Sequence, residues 1–212
     1  MNKNEKFVIT INRELGSGGR TVGRKLAERL GVAFYDKALI KGLQEKFHLT
    51  VDEIERLKGE KKSWWSDIKR ILQIGPGMDS NYYLPQKGGA ADLLDTKDIF
   101  EAETMILQDI AIHESCVVAG RSGFYVFRAY PNHLNILIQA SMPFRINRVM
   151  RKQNITEEKA REIISKVDKM RENYVKEYTK TSRYDTHNYD LVISADGKSE
   201  DEIVDFIMQY IG

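Results

Sequence analysis

The chain has 212 residues, 42% of them hydrophobic and 30% charged, with 33 basic against 31 acidic side chains and a formal net charge of +2. That length suits one domain with a full core and room for an insert. So even a charge balance argues against nucleic acid or a membrane surface as the main partner.

In chain order, "MNKNEKFVITIN" has no long apolar core, and no later run reaches the ~20 apolar residues that a membrane span needs. The expected location is therefore the cytoplasm. "FVITI" (Phe7 to Ile11) reads as a buried strand. Gly16 to Leu30, "GSGGRTVGRKLAERL", follows as a glycine loop running into a helix, with Val22, Leu26 and Leu30 on one apolar stripe. "VAFY" (Val32 to Tyr35) is a second strand, and Thr50 with Glu53 forms a capping box before "IERL".

Between Lys58 and Asp92 the rhythm breaks into stretches rich in Gly, Pro and polar residues, either a flexible loop or a lid-like functional insert. Trp64, Trp65, Tyr82 and Tyr83 lie there, available for packing on the body or for stacking on a base. "CVVAG" (Cys116 to Gly120) is the third strand. Its Cys116 is the only cysteine, which excludes an internal disulfide, fits a reducing compartment and reads as a buried, inert thiol.

"LNILIQA" (Leu134 to Ala140) is a fourth strand. It precedes a helix, "MPFRINRVMRKQ", whose Arg145, Arg148 and Arg151 stand three apart; Arg145 reads as part of a solvated face. Thr156, followed by Glu157 and Glu158, opens a long polar helix to about Lys180, with Asp168 and Arg171 on one face. "DLVIS" (Asp190 to Ser194) is the last strand, and Ser199 with Glu202 caps the final helix. Continuous apolar strands alternating with helices indicate an α/β fold around a mostly parallel sheet. The four histidines are scattered without metal-ligand spacing, so no zinc site is expected.

The glycine loop carries the chemistry. Strand, short loop and helix place free backbone N–H groups and the positive end of a helix dipole at one spot, which suits an anion. Against G-x-x-x-x-G-K-[ST], aligned on Gly19, Glu14 stands for the first glycine, Arg20 for the lysine and Thr21 for the hydroxyl. Two of the four fixed positions match, and a glycine turn that merely starts a helix remains open. A guanidinium keeps the charge and grips phosphate, but it does not follow a moving phosphoryl group as a compact ammonium does. Asp36 and Arg121 follow the second and third strands, at the carboxyl edge where ligands of open α/β sheets bind. Arg148 and Arg151 would form a lid that neutralises charge and excludes water.

"INRELGSGGRTVGRKLAERLG", "FYDKALI", "VVAGRSGFYVF", "ILIQASMPFRINRVMR" and "DKMRENYVKEYTKTS" together resemble the cytidylate kinase-like branch of the P-loop nucleoside monophosphate kinases, over nearly the whole chain. The resemblance implies a P-loop NTPase-type three-layer α/β/α sandwich. Its five-stranded parallel sheet would have the order 2-3-1-4-5, with an acceptor-region insert over about 38–98 and a lid over about 145–182 of one domain. ATP and Mg2+ would be the cofactors. Gly16, Ser17, Gly18, Gly19, Arg20 and Thr21 would hold the donor phosphates, with Thr21 also on magnesium. Arg20, Arg148 and Arg151 would be catalytic. Asp36, Arg121, Asp168 and Arg171 would bind the acceptor, a CMP- or dCMP-like nucleotide or another small molecule.

Three positions depart from cytidylate kinases proper. Arg20 replaces lysine, Ser122 stands where aspartate follows the strand-three arginine, and Lys37 stands where serine follows the acid. A non-catalytic nucleotide-binding protein on the same scaffold is the competing reading. A nucleic-acid binder would rest on the arginine helix alone. The sequence is silent on oligomeric state.

Overall fold

The computed structural model describes residues 1–36 and 96–212. They fall into two compact units: Met1–Asp36 with Ile110–Gly212, and a second unit, Lys37–Asp109, of which residues 96–109 are described. The capping box at Thr50 and Glu53, the four aromatic residues from Trp64 to Tyr83, Lys37 and nearly all of the expected acceptor insert lie outside the described residues.

Along the chain run β1 (Val8–Arg13), α1 (Gly19–Leu30), β2 (Ala33–Asp36), α2 (Thr96–His113), β3 (Cys116–Ala119) and the short α3 (Gly123–Val126). β4 (His133–Gln139), α4 (Met142–Gln153), α5 (Glu157–Thr179), β5 (Leu191–Ser194) and α6 (Glu200–Ile211) follow. The five strands form one all-parallel sheet in the order β2-β3-β1-β4-β5, the order expected. Sequence reading ends the first strand at Ile11. In the structure Asn12 and Arg13 continue the ladder opposite Leu137 and Ile138. The central strand therefore delivers Arg13 to the carboxyl edge of the sheet.

Alternation divides the faces. Ile9, Ile11, Val117, Leu134, Ile136, Ile138 and Ile193 bury one face against Val22, Leu26 and Ala27 of α1 and Ile203, Val204 and Ile207 of α6. The other face carries a polar bond, Thr10 Oγ1–H to Asn135 Oδ1 at 2.6 Å, with α3 packed over it. Helix starts follow local chemistry. Ser141 accepts from Phe144 N–H before α4, and Thr156 accepts from Lys159 N–H before α5. The full capping box of Ser199 and Glu202 opens α6. Among the described residues no helix is long and apolar enough to cross a membrane.

Candidate phosphate-binding site

β1 ends in Asn12 and Arg13, the loop is Glu14 to Gly18, and α1 begins at Gly19. Gly18, the residue before the first turn, is left-handed at φ 87° and provides no side-chain cap; no acidic residue stands in the first turn. A helix start without a capping oxygen leaves its leading N–H groups for an outside anion. Thr21 and Val22 turn their own N–H groups back to the Gly18 carbonyl, at 2.9 and 3.1 Å. Ser17 is turned inward: its N–H and its hydroxyl both donate to the Glu14 carbonyl, at 3.3 and 3.0 Å. Thr21 is partly exposed in the first turn.

A buried ionic lattice underlies the loop. Arg145, read from sequence as part of a solvated face, is only 5% exposed, and this corrects that expectation. Its Nε–H donates to the Leu15 carbonyl at 2.8 Å, and its two terminal nitrogens pair with Glu14 and with Asp168. Glu14 accepts the Ala140 N–H at 3.0 Å, and Asp168 accepts the Leu15 N–H at 3.1 Å. Arg171 and Arg183 each stand 3.7 Å from Asp168 and both donate to the Arg13 carbonyl. The first position of the phosphate-loop pattern is thus a glutamate for a reason: it is a counter-ion for Arg145. Burial makes the periodic helix pattern misleading here, because the partners come from other segments.

Asp168 and Arg171 are accordingly brought to the underside of the loop. Arg20 points elsewhere. It sits at the start of α1, yet its Nε–H donates to Asp36 Oδ2 at 2.5 Å, reaching past β3 to the end of β2. Asp36 is buried and the Arg20 side chain is 39% exposed.

One further arginine flanks the loop. Arg148 pairs with Glu200 at the start of α6, and its guanidinium lies against Gly18, where an added Cβ would come 3.4 Å from Cζ. Lys152, one turn further along α4, is held below the ordinary lysine range by burial of its ammonium and by Arg148, with Arg20 and Arg24 adding to the repulsion. Several basic side chains therefore gather around the start of α1, with Glu200 opposing them. Arg151 instead donates to the Asn147 carbonyl at 3.3 Å and is exposed.

On the β3 side, Gly120, Arg121 and Ser122 are three consecutive left-handed residues, with φ of 83°, 55° and 53°. Such conformations in non-glycine residues cost about 1 kcal/mol or more each and collect at functional sites. They set Arg121 across the Tyr174 ring, 5.3 Å from its centroid, with a 3.2 Å bond to the Tyr174 hydroxyl. Burial lowers the Arg121 pKa; Tyr174 opposes that and Arg13 adds to it.

Sequence reasoning gives no role to Arg13, Lys152, Tyr174 or Arg183, and reads Glu14 only as a stand-in for the first loop glycine. An arginine closing an apolar central strand was the one available signal for Arg13. Nothing local marks Arg183, which is 1% exposed beyond the end of α5.

A model of the cytidylate kinase-like family matches residues 8–196. Among solved structures, an uncharacterized protein from Eubacterium ventriosum is similar over 97% of this chain and 98% of that one, with a TM-score of 0.69 and 24% identity. Shikimate kinase from Bacteroides thetaiotaomicron is similar over the same shares, with a TM-score of 0.51 and 15% identity. These likenesses show the fold, that of the P-loop kinases. Uronate isomerase from Corynebacterium glutamicum is 26% identical over 156 residues, which is 71% of this chain. The chain spans only 29% of that relative's length.

Proposed function

The chain belongs to the cytidylate kinase-like family, and on that premise we propose that it transfers a phosphoryl group from ATP to a CMP- or dCMP-like nucleotide or another small acceptor. The observation that carries this reading is the uncapped, left-handed start of α1 at Gly18, faced by the Arg148 guanidinium. Backbone N–H groups with a cation opposite them make a cradle for a polyphosphate.

Within the Gly16–Thr21 loop the Gly18, Gly19 and Arg20 N–H groups bind the donor phosphates, those of Ser17 and Thr21 being bonded inside the loop, and Arg148, with Arg151 a turn further on, neutralises their charge. The partly exposed Thr21 hydroxyl, in the first turn beside that cradle, fits a ligand for Mg2+, which would supply charge neutralisation across the donor phosphates. Arg121, braced by Tyr174, holds the acceptor's anionic group. Arg20 acts through Asp36, fixing the carboxylate that faces the acceptor. Asp168 and Arg171 support the acceptor side through the Arg13 carbonyl and the Leu15 N–H. Catalysis of this kind is positioning plus charge stabilisation, with no covalent enzyme intermediate. ATP as donor and a buried single thiol fit a cytoplasmic protein.

The 2.5 Å Arg20–Asp36 bond favours a second reading, a nucleotide-binding protein without turnover, because it draws the loop's own cation away from the donor. Purified protein with Mg2+, ATP and a panel of nucleoside monophosphates, shikimate-like alcohols and sugar acids separates the two. Acceptor-dependent ADP formation is the expected result. ATP binding with no turnover on any acceptor establishes the second reading instead.

A further inference from the structure

We propose that Arg13, and not Arg20, is the side chain that meets the phosphoryl group during transfer. The inference rests on the kinase reading and names a catalytic residue within it.

Arg20 occupies the lysine position in sequence, but its charge is already engaged by a buried carboxylate. Arg13 reaches the carboxyl edge of the sheet beside the start of α1. It closes the central strand, immediately before the loop, and two glycines make room for its side chain. A Cβ at Gly19 would lie 2.6 Å from Arg13 Cβ, and one at Gly120 would lie 2.0 Å from an Arg13 terminal nitrogen. At Gly19 the neighbour is the fixed base of the Arg13 side chain, so no other residue fits there; at Gly120 a side chain would displace the Arg13 guanidinium. The Arg13 stem therefore runs beside the first residue of α1, and its guanidinium rests on the end of β3.

That course places the charge between the two halves of the site. On one side is the start of α1, where the donor phosphates are held. On the other is Arg121, the residue after Gly120, whose pKa is lowered by burial first and by the nearby Arg13 charge in addition. The main chain of Arg13 is anchored by Arg171 and Arg183 on its carbonyl, so the side chain works from a fixed root.

In the transfer step an acceptor oxygen forms a bond to the terminal phosphorus while the bond to the bridging oxygen breaks, and that electron pair leaves on ADP. A phosphomonoester attacks as its dianion, so no proton has to be removed. Charge on the equatorial oxygens of the moving group is met by the Arg13 fork, a bidentate donor suited to it.

Calorimetric titration of wild type, Arg13→Gln, Arg13→Lys and Arg20→Gln with MgATP and with MgADP tests this. In Arg13→Gln the ratio of the ATP to the ADP dissociation constant rises by about tenfold or more, because only ATP carries the terminal phosphoryl group. Arg13→Lys recovers part of that loss. Arg20→Gln shifts both nucleotides by a similar factor. An unchanged ratio in Arg13→Gln, or a raised ratio confined to Arg20→Gln, overturns the proposal while leaving the kinase reading intact. Failure of the wild type to bind either nucleotide overturns the kinase reading itself. Should Arg13→Gln show no cooperative melt, Arg13→Lys decides: it keeps the stem and charge but not the fork, and its ratio must rise by about threefold.

Discussion

Arg20 Nε–H donates to Asp36 Oδ2 at 2.5 Å, so the residue standing where a phosphate loop has lysine is bonded to the end of β2. The pair joins the start of α1 to the edge strand of the sheet, with β3 lying between β1 and β2. Its carboxylate is buried and its guanidinium partly solvated, which makes it a positioning device more than a source of stability. Asp36→Asn should lower unfolding free energy by only about 1 kcal/mol in urea titration, since Arg20 regains water. It should cut acceptor-dependent kcat by about tenfold or more. A large stability loss with unchanged kcat would reverse that assignment.

The buried lattice below the loop behaves differently. Asp168 serves Arg145, Arg171, Arg183 and the Leu15 N–H together. Removing a carboxylate from among buried cations leaves charge without compensation, at a cost of about 3–5 kcal/mol. Asp168→Ala should lose that much in denaturant titration. The double variant Arg145→Met with Asp168→Leu, which removes both charges of the closest pair, should lose less than Asp168→Ala alone. A double variant no more stable than Asp168→Ala would count against pairing as the cause.

The loop glycines differ in what surrounds them. Gly16 has φ 89°, and a Cβ there would come 2.8 Å from the Arg145 carbonyl oxygen. Gly31, which ends α1, has φ 67° and nothing within 4 Å of its Cβ position. Gly31→Ala should cost about 1 kcal/mol, the left-handed penalty alone. Gly16→Ala adds a collision with backbone that cannot swing aside, for a total of about 3 kcal/mol, together with loss of nucleotide binding. Equal melting shifts for the two variants would refute the contact.

Much of this fold is written locally. Thr156, Ser199 and Glu202 cap their helices through neighbours three residues away, and the apolar strands need both faces covered, so a linear reading finds them. The site is less local. Arg145 looks solvated until Glu14 and Asp168 are brought to it. Arg13 looks like an ordinary strand-end charge until Gly120 is seen beneath its guanidinium. The loop pattern points to a cradle and assigns its cation by sequence position, whereas the structure bonds that cation to Asp36.

Two buried acids give the protein an alkaline limit. Burial, helped by the Glu114 charge, pushes the Cys116 thiol up to about 12 from an ordinary value of 9.0. Burial and a 2.7 Å bond to Glu114 also raise Tyr35. Because the folded values lie above the unfolded ones, the unfolded chain loses its protons first as pH rises. The stabilising effect is complete below about pH 9; above that the Cys116 contribution falls, and above about pH 10 the Tyr35 contribution falls too, each by about 1.4 kcal/mol per pH unit until the folded group ionises. Urea midpoints should be flat from neutrality to that point and then decline. Native Cys116 should not react with a thiol reagent at about pH 8. Rapid labelling of folded protein would contradict its burial.

The most direct test of the central claim is a crystal structure with Mg2+ and a non-hydrolysable ATP analogue. The expected result has the donor phosphates within hydrogen-bonding distance of the Gly18, Gly19 and Arg20 amides, with Arg148 alongside. A nucleotide whose phosphates settle away from the start of α1 would contradict the account.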